Sequence, residues 1–126
     1  MIQLTQERDV ETPIHIAVTG VKHFFGTEFM KVGLILHFVK EPDNPHDQEA
    51  IKAIIPPVGQ VGYVANSPHT VPKGCLSAGR IYDLFEEQIS GIVRFILKDM
   101  LIVELVHHIK QEYILDLDEM KKVINE

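Results

Sequence analysis

One cysteine, Cys75, stands in a chain of 126 residues. That excludes an intramolecular disulfide and an all-cysteine zinc site, and makes a reduced, cytoplasmic setting the expectation. Basic residues are also scarce: 12 Lys and Arg face 18 Asp and Glu, for a net charge of −6. Such a balance argues against a general nucleic-acid binder with a long basic surface. The segment 1–11 has no apolar h-region and does not read as a secretory signal. The longest uncharged stretch, Ala53 to Pro72, is interrupted by Pro56, Pro57, Gly59, Gly62 and Pro68. Those residues break any spanning helix, so no membrane partner is expected. Internal repeats and low-complexity segments are absent as well.

What is present is enough apolar material for one packed core. Hydrophobic residues make up 45% of the chain, charged residues 24%, and mean hydropathy is +0.05. A disordered or fibrous chain is thereby excluded. Ile14, Ile16 and Val18 alternate with His15, Ala17 and Thr19, and Leu34, Leu36 and Phe38 alternate with Ile35, His37 and Val39; both patterns carry the period of two that a strand requires. Ala50–Ile55 and Gln60–Ala65 flank a Pro56-Pro57-Val58-Gly59 turn and predict two more strands. Residues 67–79, rich in Pro, Gly, Ser and Thr, read as a loop. A short helix follows, with Ser77 as N-cap and Ala78, Ile81, Leu84 and Phe85 on its apolar face. Val93, Phe95 and Leu97 alternate with Ile92, Arg94 and Ile96, and Lys98-Asp99-Met100 turns the chain into Leu101, Val103 and Leu105.

Six short strands with one or two small helices predict a mainly β chain closed into a small barrel, OB-like or SH3-like, because closure removes exposed strand edges. The expected boundaries are a tail at 1–13, a barrel at 14–111, and an amphipathic helix at 112–126. The helix carries a capping-box spacing at Asp116 and Glu119 and an apolar face of Leu117, Met120 and Ile124. It is too short to stand alone and is expected to pack on the barrel or on a partner.

Metal and catalytic patterns are weak. The seven histidines, His15, His23, His37, His46, His69, His107 and His108, include no His-x-His or His-Glu-x-x-His spacing, and neighbours such as His107 and His108 point to opposite faces of a strand. A loop site of His46, Asp47 and His69 lacks the usual ligand spacing too. Cys75 has no assigned base and reads as a partly buried thiol. Asp43, Asp47 and Glu49 offer oxygen ligands for a hard cation, but no general base accompanies them. Gly20, Gly26 and Gly33 do not form a phosphate-cradling Gly-x-Gly-x-x-Gly. Neither a metal nor a cofactor is called for.

Three segments are more informative. Gly20-Val21-Lys22-His23-Phe24-Phe25-Gly26 follows the first strand; Asn44-Pro45-His46-Asp47 turns between the second and third; Gly62-Tyr63 lies in the fourth. On pattern alone Asn44 and Asp47 suit Asx turns. Phe24, Phe25 and Phe29 suit a core, and Tyr63 a half-buried barrel position. In their order, however, the three segments resemble the HIRAN domain family, over roughly residues 14–97.

The resemblance implies a six-stranded OB-like barrel that binds the 3′ end of single-stranded DNA without catalysis of its own, often attached to DNA translocases or nucleases. It implies a stacking platform at His23 and Phe24, a 3′-hydroxyl acceptor at Asp47, and Tyr63 in the same pocket. The physics suits these roles. Every base has a π face for an aromatic ring to meet, and an ionised carboxylate accepts from a hydroxyl but repels a phosphate.

The chain departs from the family in two places. Lys22, His23 and Phe24 replace Arg and two tyrosines, and Ala65 and Asn66 replace lysines after the Gly-aromatic pair. Phosphate contacts are then expected from Lys22, Lys40, Lys73 and Arg80. The alternatives from other classes are a protein-interaction adaptor, and an accessory subunit of a separately encoded helicase-like ATPase or nuclease in DNA repair.

Overall fold

The structure, a computed structural model, describes residues 13–106. Its strands are β1 (His15–Thr19), β2 (Ile35–Lys40), β3 (Ile51–Ile55), β4 (Gly59–Val64), β5 (Gln88–Ile96) and β6 (Leu101–Leu105). They close in the order β1-β4-β3-β2-β5-β6, each pair antiparallel. A 3₁₀ turn at Val21–His23 follows β1, and a short helix α1 (Ala78–Ile81) runs into a second 3₁₀ turn at Tyr82–Leu84. The result is a mostly β, OB-like barrel. The tail before Pro13, the helix expected at 112–126, and His107 and His108 lie outside the described residues.

The period-two pattern explains the core. Ile16 and Val18 from β1, Leu36 and Phe38 from β2, Ile51 and Ala53 from β3, and Leu101 and Val103 from β6 are all fully buried. From α1, Ala78 and Ile81 join the same cluster. Among the described residues no polar or charged side chain is buried, so the barrel is held by apolar burial and its ladder of backbone bonds.

Three expectations change. The register between β5 and β6 shifts between Val93 and Phe95, a β-bulge at Arg94. The extra residue turns Phe95 and Leu97 outward, where both are exposed, in place of the inward course that uninterrupted alternation from Val93 predicts. Leu84, expected on the buried face of the helix, is exposed. The α-helix ends at Ile81 and tightens into a 3₁₀ turn, so Leu84 no longer follows the 3.6 period. Ala17, expected to face away from the core, is nonetheless fully buried.

The register also gathers loops. Thr19 pairs with Tyr63, Tyr63 pairs with Lys52, and Lys40 pairs with Ile51. The turn after β1, the turn between β2 and β3, and the end of β4 therefore meet. Gly62 makes this approach possible: a Cβ placed there would lie 2.7 Å from both the Thr19 carbonyl oxygen and Val18 Cγ1. Backbone cannot yield as a side-chain tip can. Gly62→Ala should lower the stability of the barrel by about 1–3 kcal/mol, the usual cost of overpacking. Urea denaturation measures this as a lower midpoint at unchanged slope.

Candidate nucleic-acid interface

The aromatic turn is built by its glycines. Gly20 and Gly26 both adopt positive φ, 73° and 72°, a region that L side chains avoid. Between them the chain makes a 3₁₀ turn closed by the His23 amide donating to the Gly20 carbonyl and the Gly26 amide donating to the Val21 carbonyl. Val21 is buried as the anchor, and Lys22, His23, Phe24 and Phe25 are exposed. The core role that composition favours for Phe24, Phe25 and Phe29 is not what the structure has: they are 38%, 51% and 40% exposed. Phe25 and Phe29 meet edge to face at 6.2 Å, and Phe24 leans on Tyr63 at 6.3 Å with the rings tilted by 59°.

Tyr63 leads into the second turn. Its hydroxyl donates to Glu41 Oε1 at 2.8 Å, and Asn44 Nδ2 donates to the same oxygen at 2.9 Å. Asn44 Oδ1 accepts from the His46 and Asp47 amides at 2.9 and 3.1 Å. This is the Asx turn that the sequence suggests, and it places Asp47. The Asp47 carboxylate accepts from the Glu49 amide at Oδ1 and from Asn66 Nδ2 at Oδ2, both at 2.9 Å. Each oxygen keeps lone-pair capacity for a further donor. Turn-holding and ligand-binding roles are thus compatible in one side chain.

Asn66 is the residue that sequence reasoning passed over as a mere absence of lysine. Besides bonding Asp47, it accepts from the Gly79 amide at Oδ1, 2.8 Å, so it joins the β2–β3 turn to the first turn of α1. Ser77 caps the same helix by accepting from the Arg80 amide, as expected.

The four cations separate. Lys22 lies exposed on the aromatic turn, and Lys73 and Arg80 lie exposed in the segment after Asn66. Lys40 does not join them: its Nζ donates to the Phe85 carbonyl at 2.7 Å and sits 4.3 Å from the Tyr82 ring centroid and 4.9 Å from that of Phe85. These contacts lock β2 to the turn after α1. Among the described residues no group of three or more His, Cys, Asp or Glu is placed to hold a metal ion. Cys75 is half-buried, and burial raises its thiol pKa. Again among the described residues, no helix is long and apolar enough to cross a membrane.

Against known proteins, the family model of the HIRAN domain matches residues 14–81. This chain belongs to the HIRAN domain family. A match in fold is the crystal structure of the HIRAN domain of human HLTF, with a TM-score of 0.54 and 20% identity over 74% of this chain and 72% of that one. No curated protein matches. HIRAN domains are DNA-binding modules, so membership brings nucleic acid as the class of ligand.

Glu41 gives this site a pH dependence. The hydrogen bonds from Asn44 and then Tyr63 hold its carboxyl below the ordinary value of 4.5, with Lys52 adding to them and partial burial opposing. A carboxylate that is harder to protonate folded than unfolded contributes its full stability above the ordinary range, and loses it as pH falls through the depressed value. Glu41→Gln should therefore be less stable than the parent at about pH 7, and the gap should narrow at about pH 3. Denaturation curves of both proteins at the two pH values measure the gap.

Proposed function

We propose that this HIRAN domain binds the 3′ end of single-stranded DNA as a non-catalytic module. Phe24 and His23 form the stacking platform, Asp47 accepts the terminal 3′-hydroxyl, Tyr63 lines the pocket between them, and Lys22 meets a phosphate. One observation carries the reading: the exposed Phe24 ring, Tyr63 and the Asp47 carboxylate form one connected rim through Glu41 and Asn44. A terminal nucleotide has a base to stack and a sugar hydroxyl to donate, and this rim offers a partner for each.

Asp47 supplies the selectivity. A 3′-hydroxyl donates to the carboxylate, whereas a 3′-phosphate brings negative charge against it and loses the bond. Phe24 supplies affinity with little sequence preference, since any base stacks on it.

A second reading, recruitment of a DNA translocase or nuclease, is favoured by the outward Ile35 of β2 and Phe95 of β5, 53% and 60% exposed. Both face solvent on strands, not on the rim loops, so this reading adds to the first without displacing it.

Titration of labelled oligonucleotides ending in 3′-hydroxyl or 3′-phosphate tests the end-binding role. The parent should prefer the hydroxyl end. Asp47→Asn, which keeps the side-chain volume and the acceptor for the Glu49 amide but turns an amide nitrogen toward Asn66, should abolish the preference, and Phe24→Ala should weaken both ends by about 1–3 kcal/mol. Equal binding of the two ends by the parent sinks the role of Asp47, and absence of binding at low salt leaves recruitment as the function.

A further inference from the structure

Beyond the end-reading rim, a separate groove opens along the segment from Asn66 to Arg80. It has a volume of about 420 Å³ and is walled by Asn66, Val71, Pro72, Lys73, Cys75 and Arg80 among others. That volume is within the range of small-molecule sites, about 300–1,000 Å³. We propose that a bound strand leaves the 3′-end corner along this groove, with Lys73 and Arg80 neutralising phosphates 5′ of the terminal nucleotide. The proposal rests on the single-strand reading above and deepens it.

Charge is the first argument. In a chain of net charge −6, the groove lining contains two cations and no Asp or Glu. Lys73 and Arg80 are both exposed. The ion pair found among the described residues is Arg94 with Glu104, on the β5–β6 hairpin, so neither groove cation is spent on a carboxylate there. Glu49 reaches Asn66 at 3.5 Å from the Asp47 side and is not part of the lining.

Continuity is the second. Asn66 is a wall of the groove and also donates to Asp47 at 2.9 Å. The corner that would hold the terminal hydroxyl and the groove that would hold the preceding phosphates therefore share a side chain.

The walls are also built before any ligand arrives. The Leu76 amide donates to the His15 carbonyl of β1 at 2.8 Å, and the Ala78 amide donates to the Ala65 carbonyl at the end of β4 at 3.0 Å. Within the loop, the Val71 amide donates to the Ser67 carbonyl and the Cys75 amide to the Pro72 carbonyl. A segment rich in proline and tied to two strands loses little entropy on binding. Its apolar residues, Val71 and Leu76 with the prolines, suit sugars and base edges, while the cations suit phosphate.

The lone thiol supplies a direct test, because Cys75 lines the groove and the chain has no other cysteine. With the full chain at fixed pH, the rate of Cys75 alkylation by iodoacetamide is measured alone, with a saturating 3′-hydroxyl dinucleotide, and with a saturating 3′-hydroxyl oligonucleotide of about eight nucleotides, within the usual site size of about 4–16 for such barrels. The longer strand should slow alkylation several-fold and the dinucleotide should leave it unchanged. In parallel, Lys73→Gln and Arg80→Gln should each weaken the longer strand and reduce the slope of log K against log salt by about 0.7. Dinucleotide binding and the hydroxyl-over-phosphate preference should stay as in the parent. Undiminished alkylation under a bound, saturating longer strand overturns the groove and leaves end recognition standing; failure of every strand to bind at low salt overturns both.

Discussion

The side-chain amide of Asn66 joins the turn between β2 and β3 to the first turn of α1. Its nitrogen donates to the Asp47 carboxylate and its oxygen accepts from the Gly79 amide, at 2.9 and 2.8 Å. The first bond goes to a charged acceptor, a class worth about 1.5–3 kcal/mol where water is excluded, and less at a half-exposed position such as this. Its larger consequence is orientation. With one Asp47 oxygen fixed by Asn66 and the other by the Glu49 amide, the carboxylate has little freedom left to turn. A fixed acceptor is what a hydroxyl-reading site needs, since an acceptor ordered in advance adds no ordering cost when the ligand binds. Asn66 thus acts as a rigid brace for the carboxylate.

That brace works because the barrel beneath it is inert. Among the described residues every buried side chain is apolar, so polar chemistry is confined to the loops. The register then decides which loops meet. Tyr63 stands beside Thr19 on one side and Lys52 on the other, and from this one position it touches Phe24 and donates to Glu41. The Gly62 before it lets the β1 backbone come within reach. A Gly-aromatic pair in β4 is thus a hub: the glycine gives the approach, and the aromatic residue links the aromatic turn after β1 to the turn that carries Glu41, Asn44 and Asp47.

Much of the fold was legible in the sequence because period-two burial is a local signal. Ile16 and Val18, Leu36 and Phe38, and Leu101 and Val103 point inward as their alternation requires. The Ser77 cap was readable for the same reason, its bond spanning only to Arg80. What was not readable depends on partners distant in sequence. The bulge at Arg94 changes which face Phe95 takes, and nothing within β5 announces it, since the shift exists only relative to β6. The burial of Ala17 likewise has no signal in the alternation of β1. Asn66 is the clearest case: its partners lie 19 residues before it and 13 after it, so its role appears only once the chain is folded. The exposure of Phe24, Phe25 and Phe29 runs against composition; Phe24 and Phe25 lie in the turn between two positive-φ glycines, which carries them outward.

Net charge, which first argued against a general nucleic-acid binder, bears on how the proposed site works. Residues 1–13 hold Arg8 against Glu7, Asp9 and Glu11, and residues 112–126 hold Lys121 and Lys122 against Glu112, Asp116, Asp118, Glu119 and Glu126. Most of the surplus acid therefore lies in the flanking segments, and the barrel region is close to neutral. Around the proposed site stand the exposed cations Lys22, Lys73 and Arg80, while Lys40 is occupied by Phe85 and Tyr82. Three phosphate contacts release counterions enough for a salt slope of only about −2 on single strands. Stacking on Phe24 and the hydroxyl bond at Asp47 must then carry a larger share of the affinity than in a protein that tracks the backbone. In the proposed mode the two act together only where a strand exposes a base and a free hydroxyl, so the shortage of basic residues would direct binding to the end of a strand and away from its length.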